Sequence, residues 1–220
     1  NEEIVQAFAR IARLKRQEVF DDERLMPQTS VDDAMQAAPG WVGSSWDGGT
    51  LLVGINPGGG GDNYRGNPSD KALYDACRRL KEARSVSDQK EAMGALSSLW
   101  MQTQRTHNIW RIISKIIDAT GERESDIAFM NILPFELGKM SSHGAAKSEE
   151  MEDDNATGDI CAKTGTIIAL GAKAYKVLDA QLSTRSWQII EFKRRIGDTS
   201  IHPEATIVLR QLQAGIRSAV

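Results

Sequence analysis

The sequence predicts an α/β fold in which helices cover both faces of a mainly parallel central sheet. Residues 50–55, 126–132 and 166–171 are short, largely apolar runs, which is typical of strands buried on both faces. Segments with helical spacing of apolar residues separate these runs, and such alternation favours parallel strands joined by crossover connections. We therefore expect a three-layer α/β/α sandwich.

The length and composition indicate one globular domain. A chain of 220 residues buries enough surface to fold without disulfides or a structural metal. We assign residues 1–220 to a single domain, in which residues 1–49 form an N-terminal helix and an irregular extension. Hydrophobic residues make up 40% of the chain and charged residues 26%, which excludes a disordered protein. The net charge of −3 gives no overall basic field, so any nucleic-acid contact requires a local basic patch.

Cysteine use and hydropathy indicate a cytoplasmic protein. Cys77 and Cys161 are the two cysteines and stand far apart, which excludes a disulfide framework and a cysteine-rich zinc module. No apolar run approaches the roughly 20 residues that span a membrane. The first residues lack the basic and then apolar pattern of a secretory signal. We expect no membrane partner.

The N-terminal part is expected to contain one helix and a long loop. Apolar residues at helical spacing predict an amphipathic helix over residues 3–20. Prolines and glycines punctuate residues 21–49, which we interpret as irregular. Trp41 and Trp46 lie in this segment, and we expect them to pack beneath the loop because large aromatic side chains bury extensive apolar surface.

The connection between the first two strands is expected to be helical. Residues 70–84 carry an apolar stripe at helical spacing, with basic residues on the opposite side. A further helical stretch covers residues 88–118, with an interruption near residues 105–108. The second strand, at residues 126–132, then ends at Asn131.

The second half of the chain continues the alternation. Residues 136–158 are polar and acidic, and we interpret them as an exposed loop that leads into a helix. The third strand, at residues 166–171, leaves the sheet through a glycine. The remaining expected elements are a helix at residues 172–182, strands at residues 187–192 and 194–201, and a closing helix at residues 204–220.

Polar residues follow the ends of several expected strands. They occur in residues 54–58 (Gly-Ile-Asn-Pro-Gly), 131–134 (Asn-Ile-Leu-Pro) and 201–203 (Ile-His-Pro). Proline and glycine stop the strands and fix the backbone at these points. Ligands of open parallel sheets bind beyond the carboxyl ends of the strands. The sequence therefore predicts a ligand site at this edge.

Common cofactor and metal motifs are absent from the sequence. The glycines at residues 58–61 fit neither a Walker A loop nor a dinucleotide fingerprint. His107, His143 and His202 have no partner at metal-ligand spacing, and no nucleophile elbow is present. We expect no cofactor and no metal ion.

The ordered set of motifs resembles the uracil-DNA glycosylase superfamily. Residues 54–58 match the first motif of its mismatch-specific and single-strand-selective branches, and residues 131–134 are similar to the Asn-x-x-Pro element of the single-strand-selective branch. Residues 167–174 are similar to a superfamily strand that ends in Leu-Gly before a helix. Residues 202–204 resemble the closing His-Pro-Ser motif, with Glu204 in place of serine.

The resemblance implies a uracil-DNA glycosylase-like fold and a monofunctional glycosylase of base excision repair. Such an enzyme flips uracil, or a related damaged base, out of DNA and hydrolyses its N-glycosidic bond. Asn56 would position the water, His202 would donate a hydrogen bond to uracil O2, and Asn131 would read the base. Phe135, in preference to Tyr64, would stack on the ring. The implied substrate-binding set is completed by Gly54, Ile55, Pro57 and Gly58.

Other readings of the same residues stay open. Lys193, Arg194 and Arg195 precede the last motif and are the candidate phosphate contacts. Glu204 would repel a phosphate, and together with the acidic balance it favours a non-catalytic, or differently catalytic, module that binds a nucleobase or nucleotide on the same fold. A third possibility is a protein partner that binds the acidic segment at residues 149–154.

Overall fold

A five-stranded sheet forms the centre of the molecule. The computed structural model describes residues 2–15, 37–55, 68–135, 155–182, 188–195, 198 and 200–218. The strands are β1 (Gly40–Val42), β2 (Thr50–Gly54), β3 (Ile127–Asn131), β4 (Thr166–Leu170) and β5 (Gln188–Phe192), and their spatial order is β1-β3-β2-β4-β5. The edge strand β1 is antiparallel to β3, whereas all other neighbours are parallel. The expected mainly parallel sheet is confirmed.

The helices of the described ranges fall into packed groups. They are α1 (Glu2–Arg13), α2 (Pro68–Glu82), α3 (Val86–Gln104), α4 (Trp110–Thr120), α5 (Asn155–Cys161), α6 (Ala172–Leu182) and α7 (Pro203–Ser218). Helix α1 packs against α2, α3 and α5, whereas α4 packs against α7. Helix α6 packs on β4 and β5. This grouping is compatible with helical layers on the two faces of the sheet.

Burial explains why the apolar runs form central strands. Every residue of β2 and of β3 is buried, because both strands have a neighbour on each side and side chains covered on each face. Local signals set the helix ends. The Ser85 side chain accepts the Asp88 N–H at the start of α3, and Gly121 ends α4 in the left-handed region at φ 67°. The expected interruption of the long helical stretch lies between α3 and α4.

Two expectations near the N-terminus are corrected. The first helix ends at Arg13, not at residue 20, because the Leu14 N–H donates to the Ile11 carbonyl in a tight closing turn. The segment expected to be irregular contains β1, a strand of three residues that forms through pairing with β3 and carries no periodicity of its own. Trp41 and Trp46 are buried, so their expected packing role is confirmed.

The short strand expected at residues 194–201 is also wrong. Arg194 and Ile201 form a single antiparallel bridge. The chain reverses between them through Asp198, which has φ 51° and donates its N–H to the Arg195 carbonyl. The acidic segment at residues 149–154 lies outside the described residues.

Candidate functional site

The topology defines one place at the carboxyl edge where a crevice can open. The chain leaves β2 toward β3 on one side and later returns to β4 on the other side of β2. Connections therefore diverge between the carboxyl ends of β2 and β4, and ligands of open α/β sheets bind at such switch points.

The segment after β3 stays against β2. The Ile132 N–H donates to the Gly54 carbonyl at 3.0 Å, and the Leu133 N–H donates to the Ile55 carbonyl at 2.8 Å. The Pro134 carbonyl accepts the Ala38 N–H at 2.6 Å. These bonds fix the backbone directly after the last residue of β3.

That last residue, Asn131, carries a buried and incompletely bonded side chain. Asn131 is 3% exposed and lies opposite Gly54 in the register of β2 and β3. Its Oδ1 atom is 2.5 Å from the point that a Cβ atom on Gly54 would occupy. Its Nδ2 atom is buried without a hydrogen-bond partner in the part of the chain that the structure describes. An unmade hydrogen bond of this kind costs about 1–3 kcal/mol, so the amide is a candidate ligand contact.

Of the neighbouring apolar residues in the predicted site, one is fully buried and one is partly buried. Phe135 is fully buried, and Ile55 is half-buried. A base can stack on the Phe135 ring only after the atoms that now cover the ring have moved. The stacking role of Phe135 therefore stays a prediction.

His202 lies on the opposite flank of the edge, directly before α7. Pro203 occupies the first helical position, where its missing N–H is not needed. The Glu204 N–H donates to His202 Nδ1 at 3.3 Å, and the Thr206 N–H donates to the His202 carbonyl at 3.3 Å. A neutral imidazole whose Nδ1 accepts carries its hydrogen on Nε2. Nε2–H is therefore the group that His202 can offer to a ligand.

The basic residues of this flank are largely engaged with carboxylates. Lys193 Nζ lies 2.5 Å from Glu204 Oε2, and this hydrogen bond holds the pKa of the Glu204 carboxyl below its usual value and raises that of Lys193. Arg194 Nε donates to the buried Asp198 at 2.8 Å, and its Nη2 bonds the other carboxylate oxygen. Arg195 is exposed and has no ion pair with any described residue.

Arg194 also reaches toward the switch point. Its Cδ atom lies 3.7 Å from the point that a Cβ on Gly171 would occupy, directly after β4. Gly171 has φ 106°, a conformation that favours glycine, and leads into α6. The Asn131 side chain thus lies against Gly54 at the end of β2. The Arg194 side chain lies near Gly171, directly after the end of β4.

The structure therefore brings the predicted residues to one edge in two groups. Gly54, Ile55, Asn131 and Phe135 lie at the ends of β2 and β3, and Lys193, Arg194, Arg195 and His202 follow β5. The ends of β3 and β5 are three strand spacings apart, roughly 14 Å. One ligand can contact both groups when it lies over β2 and β4. Asn56, Pro57, Gly58 and Tyr64 lie outside the described residues.

Sequence reasoning missed Asp198 as a partner of this site. It is buried and pairs with Arg194, but its position depends on the turn before Ile201. The spacing of four residues between Arg194 and Asp198 indicates an ion pair only when the segment is helical, which was not expected there.

The described residues give little support to a metal site, a cysteine nucleophile or a membrane-spanning helix. Among the residues with described positions, no group of three or more His, Cys, Asp or Glu side chains can hold a metal ion. Burial raises the pKa of the Cys77 and Cys161 thiols to about 12, so neither is a ready nucleophile. The helices with assigned positions include none that is long and apolar enough to cross a membrane.

No protein-family model matches this chain, and no match is found among curated proteins.

Proposed function

We propose that the chain has a uracil-DNA glycosylase-like fold, binds uracil or a related base at the carboxyl edge of the sheet, and hydrolyses its N-glycosidic bond in DNA. The observation that carries the proposal is the buried Nδ2 group of Asn131, which has no partner among the described residues. Asn131 lies opposite Gly54, the first residue of the Gly-Ile-Asn-Pro-Gly motif. A bound base would supply the missing acceptor.

The amide of Asn131 suits uracil in one orientation. Uracil presents an acceptor at O4 and a donor at N3, so Nδ2 donates to the first and Oδ1 accepts from the second. Cytosine presents a donor at N4 and an acceptor at N3, and the same fixed amide then opposes it at both positions. Each buried group left unpaired costs about 1–3 kcal/mol, which makes the site selective.

His202 supplies the group that a departing uracil needs. Negative charge develops on the base as the glycosidic bond breaks, and a positioned donor stabilises it. The Nε2–H of His202 donates to uracil O2, because Nδ1 is already engaged by the Glu204 N–H. Asn56 positions the attacking water in this proposal, a role that comes from the resemblance alone.

A second candidate is a nucleobase-binding protein that does not excise the base. The ion pairs Lys193–Glu204 and Arg194–Asp198 favour this candidate, because they engage basic side chains that would otherwise contact phosphates. Phosphate contacts supply much of the affinity of DNA-binding proteins. Arg195 is the exposed basic residue that remains.

Asn131→Asp tests the proposal. The substitution keeps the shape of the side chain but replaces the donor with an acceptor, so the contact with uracil O4 becomes repulsive. We expect uracil binding or excision to fall at least about tenfold, equivalent to roughly 1.4 kcal/mol. Single-stranded oligonucleotides with one uracil report binding, and alkali cleavage after incubation reports excision. Asn108→Asp is the matched control, because Asn108 is exposed in the turn before α4.

The same assays separate the two candidates. Asn56→Ala is expected to retain uracil binding and lose excision. Binding by the wild-type protein without alkali-labile sites would favour the second candidate. Unchanged uracil handling by Asn131→Asp would show that Asn131 does not read the base.

A further inference from the structure

We propose that Gly54 is the specificity-determining position of this site and acts by positioning the Asn131 amide. The inference rests on the proposed function, because it concerns which base the amide recognises. It assigns Gly54 a role that depends on the absence of a side chain.

Gly54 and Asn131 are in close steric contact. A Cβ atom on Gly54 would lie 2.5 Å from Asn131 Oδ1 and 3.6 Å from Asn131 Cγ, whereas the nearest other atom, Phe129 Cζ, is at 3.6 Å. The first distance is too short for a Cβ atom and an oxygen that are not covalently bonded, so the amide would have to move. Gly54 is not one of the described glycines with a left-handed φ. The backbone therefore accepts other residues, and the amide of Asn131 is what requires glycine.

The contact also orients the amide. The glycine hydrogen that stands in place of Cβ points toward Oδ1, which allows a Cα–H···O contact. The reversed amide would place its NH₂ hydrogens against this C–H. The oxygen therefore lies against β2, and Nδ2 is the end of the amide turned away from Gly54. A ligand atom that meets Nδ2 must be an acceptor.

This arrangement selects a base with a carbonyl oxygen at position 4, such as uracil, over one with an amino group at that position, such as cytosine. A methyl group at position 54 would push the amide away from β2 and remove the surface that fixes its rotation. The displaced amide can then turn either end toward a base. Weaker uracil binding and weaker discrimination against cytosine follow from the same displacement.

A double-mutant cycle separates this role from a general structural one. Binding is measured with single-stranded oligonucleotides that are identical except for one uracil or one cytosine. We expect Gly54→Ala to lower uracil affinity at least about fivefold and to reduce the uracil-to-cytosine ratio. In an Asn131→Ala background, where the amide is gone, the same substitution should change uracil affinity by less than about twofold. Gly165→Ala is the control, because its Cβ would meet its nearest atom at an ordinary 3.4 Å.

Each result of these binding measurements either supports or contradicts the positioning role of Gly54. Equal losses in both backgrounds, or unchanged selectivity in Gly54→Ala, would overturn the positioning role while leaving the proposed function in place. A wild-type protein that does not distinguish uracil from cytosine would overturn the proposed function and this inference with it. If Gly54→Ala alone fails to fold, the double variant should still fold, since it lacks the clash, and should bind like Asn131→Ala. A folded double variant that binds differently would contradict the proposal.

Discussion

Two buried amide side chains near β3 have opposite hydrogen-bonding states. Gln104, at the end of α3, is 4% exposed, and its Oε1 accepts the Trp41 Nε1–H at 2.6 Å. Asn131, at the carboxyl end of β3, is 3% exposed, and its Nδ2 has no partner among the residues described. The two side chains are equally buried, so burial does not account for the difference.

The surroundings of Gln104 show what a structural amide looks like. Trp41 stacks on Phe129 with ring centroids 6.3 Å apart, and the Val42 N–H donates to Ser97 Oγ at 3.0 Å. These contacts attach β1 to the helical layer and satisfy the Trp41 indole N–H and the Val42 N–H. Native cores satisfy buried polar groups almost everywhere. An unsatisfied amide at a sheet edge where ligands bind is therefore more informative about function than a satisfied one.

The largest expected effect is the loss of stability on removing Trp41, the hydrogen-bond partner of Gln104. Trp41→Ala removes a fully buried ring together with its hydrogen bond to Gln104. We expect a loss of about 3–5 kcal/mol in the free energy of unfolding, as for other large-to-small core substitutions. Chemical denaturation followed by circular dichroism measures it. A loss below about 1 kcal/mol would mean that β1 contributes little to stability.

Replacing each amide with an apolar side chain tests most directly whether the two amides differ in their contribution to stability. Gln104→Met leaves the buried Trp41 N–H unpaired and should cost about 1–3 kcal/mol of unfolding free energy. Asn131→Leu removes a donor, Nδ2, that has no partner among the described residues, so the substitution should cost less than about 1 kcal/mol. Under the proposed function, the second substitution nevertheless abolishes uracil recognition. Equal destabilisation by the two variants would show that Asn131 is also a structural amide.

The central strands could be predicted from the sequence because the residues within each strand are enough to indicate its burial. The run that contains Leu51 and Leu52 is apolar at successive positions, as expected of a strand covered on both faces. Strand β1 could not be predicted, because its three residues acquire strand geometry only by pairing with β3. The same argument applies to the bridge between Arg194 and Ile201, which depends on the reversal at Asp198.

The candidate site was predictable in its location and not in its contacts. Asn131 and His202 lie at the carboxyl edge, as the strand-end pattern predicts. The contact between Asn131 and Gly54 joins residues 77 positions apart in sequence, so no local pattern could reveal it. The resemblance drew attention to Glu204 as a departure from serine, but only the fold shows that Lys193 neutralises it.

The smallest expected effect concerns the exposed Lys193–Glu204 ion pair. It extends the comparison to the surface, where the charged groups bond each other outside the core. Glu204→Gln frees Lys193 to contact a phosphate. We expect oligonucleotide affinity at low salt to rise about two- to fivefold, the range typical of one exposed ion pair. The logarithmic salt dependence should steepen by about one, as for one added phosphate contact. Glu191→Gln is the matched control, because Glu191 acts on Lys193 through charge alone.

The pH dependence of binding gives an independent measurement of the same pair. The hydrogen bond from Lys193 holds the pKa of Glu204 below its usual value, so the carboxylate stays charged at neutral pH and its pairing is lost only as the pH falls through that lowered pKa. Protonation of Glu204 then releases Lys193. Oligonucleotide affinity of the wild-type protein should therefore gain a component in this acidic range that Glu204→Gln lacks. Identical pH profiles for the two proteins would show that Lys193 contacts no phosphate, and the phosphate contacts would then have to be sought at Arg195.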